Sequence, residues 1–206
     1  MTDADETSAK RSLQAERSLA TRTALLATAR ELFAARGYAA VGTEEIVRDA
    51  GVTRGALYHH FDGKLELFAA VYEQVEEMLM ARIMEAVAAQ ATSPLDALRA
   101  GALAFLQESE TDAAVRQIAL VDAPSVLGWD RWREIGLRYA LGLVRATIEE
   151  AIAAGLLPPQ PAAPLAHLLL GAIDEGALLI ARSDDGGATR RQVAASLERM
   201  LGALLD

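Results

Sequence analysis

The chain has 206 residues, of which 52% are hydrophobic and none is cysteine, and its net charge at pH 7 is −9. The lack of cysteine excludes disulfides and thiolate metal sites, no uninterrupted apolar run approaches the ~20 residues of a membrane span, and the acidic start MTDADETSAK is unlike a secretory signal. We therefore expect a cytoplasmic protein without membrane contact, built from a small module and a larger domain, and mostly helical because Ala and Leu dominate its apolar residues.

The N-terminal sequence predicts a polar arm and then a helix. Residues 1–18 are charged and carry no turn or strand signal, so we expect a flexible arm that is partly helical near its end. Apolar residues then recur at helical spacing from Leu25 to Phe33. Gly37 is predicted to end this first helix.

Two short helices are predicted next, in the stretch TEEIVRDAGVTRGALYHHF. Thr43 is expected to cap the first of them and Thr53 the second. Gly51 supplies the left-handed backbone that the tight turn between them requires, and Ile46 and Val52 can fix the angle between the helices. This is the helix-turn-helix arrangement, which places its second helix in the major groove of DNA.

Six further helices are predicted, and no strand-like alternation occurs. The fourth starts at Lys64, directly after Gly63, and runs without Gly or Pro to about Ala91. Pro124 and Gly128 are expected to break the chain between the sixth and seventh helices. The predicted spans of the fifth to ninth helices are 94–107, 112–122, 131–154, 165–182 and 188–204. We therefore expect an all-α fold of about nine helices.

Charge distinguishes the two parts of the chain. Residues 10–70 hold nine Lys and Arg against seven Asp and Glu, whereas residues 71–206 hold eleven against nineteen. DNA phosphates attract cationic surfaces and repel acidic ones. The N-terminal part is therefore the part that is free to face nucleic acid.

The sequence resembles the tetracycline-repressor (TetR) family of transcriptional regulators. The resemblance covers about residues 20–70 and rests above all on the specific run GALYHHFDGKLELF, preceded by Ala29, Leu32, Phe33, Gly37, Tyr38, Thr43, Ile46, Ala50, Gly51 and Val52. It implies a DNA-binding repressor, released from a palindromic operator by a small effector. It also implies a helix-turn-helix DNA-binding domain over residues 19–70 and a helical effector-binding and dimerisation domain over residues 71–206.

The resemblance assigns DNA-contacting residues, with some alternatives left open. The recognition helix would present Thr53, Arg54, Gly55, Tyr58 and His59, and phosphates would be held by Thr43, Tyr58, His60 and Lys64. Tyr58 could instead pack on the neighbouring helix. His59 and His60 are adjacent on a helix and therefore poorly placed to share a metal ion, so we expect no metal site. Glu44 stands where some relatives carry a basic residue that contacts bases. We therefore expect its carboxylate to point away from phosphate or to accept a hydrogen bond from a cytosine amine.

The last two helices are apolar over more than one face, which favours burial on two sides. In the family these helices form a four-helix bundle between two chains, so the resemblance implies a homodimer; burial within one monomer is the alternative. The residues assigned to the dimer interface are Leu168, Gly171, Ala172, Glu175, Leu179, Leu197 and Leu201.

An apolar effector pocket is expected in the C-terminal domain, for a small apolar or amphipathic molecule. The residues assigned to it are Met78, Ile83, Phe105, Trp129, Trp132, His167 and Asp174. The two tryptophans could equally cap the core between the sixth and seventh helices. The polar groups His167, Asp174 and Glu175 could find a ligand, a dimer partner or solvent.

Two other function classes have less support in the sequence. Ser125, His167 and Asp174 supply the residue types of a hydrolase triad, but no nucleophile-elbow pattern surrounds Ser125 and no glycine loop indicates phosphate binding. We therefore expect no enzyme activity and no cofactor. A helical adaptor that binds only protein would differ from a DNA-binding regulator in lacking salt-dependent DNA binding.

Overall fold

The structure, a computed structural model, describes the backbone of residues 3–203 and the side chains of residues 14–203. Within these residues the fold is all-α, without strands. The helices are α1 (Asp3–Ala40), α2 (Thr43–Asp49), α3 (Arg54–His60), α4 (Gly63–Gln90), α5 (Pro94–Thr111), the π-helix π1 (Val115–Asp122), α6 (Ala123–Val126), α7 (Trp129–Ala153), α8 (Ala162–Ala181) and α9 (Gly186–Gly202).

The N-terminal segment differs from its prediction. α1 already begins at Asp3, so residues 3–18 continue the first helix instead of forming a separate arm. The physical reason is that this segment contains Ala, Glu, Lys, Arg and Gln but no Gly or Pro, and nothing in it stops a helix. Residues 1–2 of the predicted arm, and residue 204 at the predicted end of the ninth helix, lie outside the described residues.

The chain divides into two compact units after Val71. In the first unit, Gly37 interrupts α1 with φ +76° and ψ 163°, a conformation reserved for glycine. The turn folds Tyr38 back, and its ring lies 5.8 Å from that of Phe33 and 5.0 Å from that of Phe68. Phe33 and Phe68 complete the cluster edge to face at 5.3 Å. This aromatic core joins α1 to the start of α4.

The turn between α2 and α3 is built around Gly51, as the sequence predicted. Gly51 has φ +66°, and the N–H of Val52 donates to the carbonyl of Val47 at 3.0 Å, which closes α2 with a left-handed cap. Thr53 caps α3, because its hydroxyl accepts from the Ala56 N–H at 3.1 Å. The capping prediction for Thr43 is wrong: α2 starts at Thr43 itself, and its N-cap is Gly42, which has no side chain to bond.

In the second unit α5 packs against α7, α8 and α9, and α8 also contacts α7 and α9. By length and composition alone, α8 is long and apolar enough to cross a membrane. However, 44% of its apolar stretch is buried inside the protein. Gly176 allows α8 to pack closely on α9, since an added Cβ would lie 2.6 Å from Cγ1 of Val193 on α9. α8 is thus a core helix of this unit.

Pro124 does not break the chain as the sequence predicted. π1 continues directly into α6, and Pro124 sits in the first turn of α6, where a missing N–H is tolerated. The break comes at Gly128 alone, which has φ +81° and precedes α7.

Candidate nucleic-acid interface and ligand cavity

The outer face of α3 is the candidate nucleic-acid interface in the first unit. Leu57 is completely buried beneath it, which turns the remaining side chains of this short helix outward. The side chains that it exposes are Arg54, Tyr58 and His59, beside the exposed Thr53 and Gly55. A Cβ on Gly55 would meet only the Thr53 hydroxyl, at 3.9 Å, so the backbone there is open to close approach. The structure therefore groups the predicted base-contacting residues on one exposed face.

Arg54 takes part in two interactions on this face. Its guanidinium carbon lies 5.6 Å from the centre of the Tyr58 ring, and one of its nitrogens lies 3.6 Å from a carboxylate oxygen of Glu44. Both members of the ion pair are mostly exposed, so solvent screens their attraction. Glu44 does not point away from the interface: it lies close to the cation that is expected to read bases.

The predicted phosphate contacts occupy the edges of the interface. Lys64, half-buried, donates from Nζ to the carbonyl oxygen of Tyr38 at 2.6 Å and lies 3.9 Å above the Tyr38 ring. Lys64 thus also holds the turn at Gly37, near the end of α1, against the start of α4. Burial lowers the pKa of His60, with smaller contributions from His59 and Arg22, which favours the neutral imidazole. Thr43 is half-buried at the start of α2.

A cavity lies within the second unit, between α4, α5, π1, α7 and α8. Its volume is about 140 Å³. Most of its lining is aliphatic or aromatic, with side chains such as Leu79, Phe105, Leu137 and Ile173. A mostly apolar pocket with a few placed polar groups is the usual form of a small-molecule site.

Three acidic or basic side chains line the cavity: Glu76, Arg133 and Asp174. Arg133 and Asp174 form an ion pair and are each about one quarter exposed. Burial raises the pKa of Asp174 to about 6, although Arg133 opposes this rise. Burial likewise raises the pKa of Glu76 to about 7; its hydrogen bond with Tyr72 opposes the rise and the charge of Asp174 adds to it. The Tyr72 hydroxyl also lies within hydrogen-bond distance of the Trp132 carbonyl oxygen, at 3.3 Å.

The structure brings together four of the seven residues predicted for the pocket: Ile83, Phe105, Trp132 and Asp174 line this cavity. Met78, Trp129 and His167 do not, so their assignment to it is corrected. Met78 and His167 lie on exposed faces of α4 and α8, and Trp129 is 61% exposed with its ring against that of Trp132.

Sequence reasoning missed Tyr72, Glu76 and Arg133 as cavity residues. The available signal was an acid inside an apolar stripe, since Glu76 lies between Val75 and Leu79, both buried. Arg133 gave no signal of its own, because its partner Asp174 is 41 residues away.

The residues predicted for a dimer interface divide into two groups. Leu168 and Leu179 are 73% and 53% exposed on α8, and Glu175 is exposed between them. Gly171, Ala172 and Leu201 are half-buried. Leu197 is buried within the single chain, so its assignment to a surface between chains is corrected.

Comparison with known proteins gives matches in both units. Residues 25–71 match the family model of bacterial regulatory proteins of the tetR family, and residues 95–204 match a tetracyclin repressor-like C-terminal domain. The Tn10 TetC protein of Escherichia coli is 31% identical over 159 residues, which cover 77% of this chain and 79% of that protein. The transcriptional activator FasR of Mycolicibacterium smegmatis is 39% identical over 89 residues, 43% of this chain and 40% of FasR.

A solved structure extends the similarity to nearly the whole chain. A TetR-family transcriptional regulator from Pectobacterium atrosepticum superposes with a TM-score of 0.80 and 34% identity, covering 92% of this chain and 96% of that one.

Proposed function

The chain belongs to the tetracycline-repressor (TetR) family of DNA-binding transcriptional regulators, and we propose that it is a repressor released from its operator when a small molecule occupies the cavity of the second unit. Members of the family are soluble proteins that bind operator DNA and dimerise. It is a transcription factor and not an enzyme. We expect it to act in the cytoplasm, where operator and effector meet.

The exposed face of α3 is the observation that carries DNA recognition. Arg54 and His59 project from it beside the open backbone of Gly55, while Leu57 anchors the helix from below. Arginine and histidine donors suit the acceptor edges of bases in the major groove. Tyr58, His60, Thr43 and Lys64 surround these residues and supply hydroxyl, imidazole and ammonium donors for the phosphates.

The exposed apolar residues of α8 support a homodimer. Leu168 and Leu179 are separated by eleven residues, three helical turns, and therefore lie on one face of the helix. Large exposed apolar residues on one face favour a protein contact. A dimer with two-fold symmetry pairs with a palindromic operator, whose half-sites are separated by one or more turns of about 34–36 Å.

The cavity supports control by an apolar or amphipathic effector. α4 carries both Lys64, in its first turn, and the cavity residues from Glu76 to Val87. Apart from Gly63 at its start, α4 contains neither Gly nor Pro, so it contains no residue that favours a kink. A ligand that moves the cavity end of α4 is therefore expected to move its first turn as well.

Operator selection from random duplex DNA, followed by fluorescence anisotropy on the full chain, tests this proposal. We expect nanomolar binding to a selected palindrome and a steep loss of affinity with added salt. Absence of sequence-selective binding would reject DNA recognition and leave a protein-binding adaptor. Transcription from a reporter carrying the selected site separates repression from activation, the activity named for FasR.

A further inference from the structure

The polar groups of the cavity are gathered at one end. α4 and α7 both line it and run in the same direction, since Tyr72 bonds to Trp132 and, further along both helices, Tyr139 donates to Glu77. The charged residues Glu76 and Arg133 lie early in these segments, and Asp174 joins them through its ion pair with Arg133.

The far end of the cavity is apolar. Its lining there includes Met84, Val87 and Val144, and the hydroxyl of Thr147 is used internally, because it donates to the carbonyl oxygen of Leu143 at 3.0 Å. Eleven residues separate Glu76 from Val87 on α4, which corresponds to roughly 16 Å along the helix. The cavity therefore suits an elongated molecule with one polar end.

The charges at the polar end are unequal, with two carboxyl groups against one guanidinium. Arg133, from α7, is committed to Asp174, from α8. Glu76 faces the Tyr72 hydroxyl on its own helix and the charge of Asp174. α5 and π1 contribute only apolar side chains and Gly101 to the lining. Among the described residues, Glu76 thus has no cation of its own, and a buried carboxylate without one is unfavourable.

Building on the effector role proposed above, we propose that the cavity binds a lipophilic monoamine, with its ammonium group at Glu76 and its apolar body extending toward Val87 and Thr147. The ammonium supplies the missing positive charge and forms a charge-assisted hydrogen bond with the Glu76 carboxylate. A carboxylate ligand would face two acids, and it would have to separate Arg133 from Asp174 to find a partner. A neutral alcohol would leave the Glu76 carboxyl protonated and gain less.

The pKa of Glu76 supports this assignment. Burial raises it to about 7, so near neutral pH a substantial share of the molecules hold this carboxyl protonated. An ammonium ligand stabilises the ionised form, and its binding therefore releases a fraction of a proton.

Direct binding to the full chain without DNA tests the proposal. The probes are decylamine, 1-decanol and decanoate, each kept below its micelle concentration at pH 7 and titrated by calorimetry in two buffers of different ionisation enthalpy. We expect decylamine to bind at least about tenfold more tightly than the other two, with proton release. Tighter binding of decanoate, equal binding of all three, or binding of none overturns the proposal.

Two substitutions identify the group responsible. Glu76→Gln should lower decylamine affinity about tenfold or more, abolish the proton release and leave 1-decanol binding intact. Glu85→Gln, on an exposed face of α4, is the matched control and should change none of these values. Unchanged amine preference in Glu76→Gln overturns the assignment. Retained 1-decanol binding shows that the variant is folded. If it is not, Asp174→Asn provides a second test: it frees Arg133 to pair with Glu76 or with a carboxylate ligand, so it should reduce the preference for decylamine over decanoate, and an unchanged preference would overturn the assignment.

Failure of this inference can be told apart from failure of the proposed function. A protein that binds its selected operator but shows no amine preference remains a regulator with another effector. A protein that prefers the amine but binds no operator keeps the ligand assignment and loses the repressor role.

Discussion

The indole Nε1 of Trp132 donates a hydrogen bond of 2.9 Å to the carbonyl oxygen of Ala119. This carbonyl lies in π1, and its backbone donors would come from residue 123 or residue 124. The N–H of Ala123 is bonded to Ile118, and Pro124 has no N–H. Trp132 thus satisfies a buried acceptor that the helix itself cannot satisfy.

Replacing Trp132 should therefore destabilise the second unit through this carbonyl. Trp132→Phe keeps an aromatic ring but leaves the Ala119 oxygen without a donor, at a cost of about 1–3 kcal/mol in the free energy of unfolding. Urea denaturation followed by circular dichroism measures this cost. In the Pro124→Ala background the same replacement should cost less, because residue 124 then has an N–H to offer. Equal costs in both backgrounds would contradict this account.

The second prediction concerns stability against pH. Burial raises the pKa of Glu76 from 4.5 to about 7, so the folded protein retains a proton that the unfolded chain has already lost between these values. The contribution of this retained proton to the free energy of unfolding is complete below about pH 4.5 and declines as the pH rises toward 7. Relative to wild type, Glu76→Gln should gain roughly 1–3 kcal/mol of unfolding free energy between pH 4.5 and pH 8.

Denaturation with urea at pH 4.5, 6 and 8 measures this difference. Glu85→Gln, which removes an exposed carboxyl from the same helix, serves as the control. Parallel pH profiles for wild type and Glu76→Gln would show that Glu76 titrates normally.

The sequence predicted several helix boundaries that are fixed locally by a glycine or a cap, although the cap expected at Thr43 was wrong. Gly51 and Gly128 adopt positive φ next to helix ends, Gly37 does so where it interrupts α1, and Thr53 caps α3. These are local effects, fixed by residues a few positions apart. Pro124 shows the limit of such signals, because a proline is tolerated in the first turn of a helix and the sequence does not say which turn it occupies.

The cavity was less predictable, because periodicity shows that a face is buried but not what lies opposite. Trp129 and Trp132 are three residues apart, yet Trp132 lines the cavity and Trp129 is exposed. His167 and Asp174 lie on the same helix, and Asp174 alone reaches the cavity, where it meets Arg133. Such pairings depend on tertiary contacts between distant segments.

The third prediction concerns base recognition by α3. Arg54→Ala should weaken binding to the selected operator by about 1–3 kcal/mol and relax its sequence preference. Glu44→Gln should strengthen binding to random DNA more than to the operator, since it removes a carboxylate that lies next to Arg54 and would repel phosphates. Arg145→Ala, an exposed arginine on α7, is the control and should leave binding unchanged. Equal loss for Arg54→Ala on operator and random DNA would reject base reading.

Lys64→Ala should weaken DNA binding in a different way from Arg54→Ala, without a change in sequence preference. Its ammonium should hold a phosphate in the complex, so all DNA should bind more weakly and the salt slope should fall by about one unit. Because Lys64 also bonds to the Tyr38 carbonyl, the variant should unfold at lower urea concentration than wild type. An unaltered salt slope would leave Lys64 with its structural role alone.

The fourth prediction concerns the dimer. Leu168→Glu should place an unpaired charge in the contact between two α8 helices, at a cost of about 3–5 kcal/mol, enough to give monomers at micromolar concentration. Leu156→Glu, at an exposed leucine between α7 and α8, is the matched control and should remain dimeric. Light scattering measures both. A wild-type monomer, or a dimeric Leu168→Glu, would exclude this surface of α8 from dimerisation.

The last prediction concerns the coupling of ligand and DNA through α4. This helix spans about 40 Å without a break and bears Lys64 at one end and cavity residues further along. A ligand can release the operator only if it binds more tightly to the form of the protein that binds DNA poorly. By linkage, operator DNA must weaken ligand binding by the same factor, about 5- to 150-fold for a coupling of 1–3 kcal/mol.

Titrating a ligand found by thermal-shift screening, with and without the selected operator, measures this factor. Ala70→Gly should reduce it, because glycine loosens the helix between Lys64 and the cavity at a cost of about 1 kcal/mol in helix propensity. Ala81→Ser, at an exposed position of the same helix, is the control. Ala70→Gly should change little in its affinity for the ligand without DNA and in its affinity for the operator without ligand. A reduced coupling factor between the two therefore reports on transmission along α4. Identical ligand affinity with and without operator would mean that another signal regulates the protein.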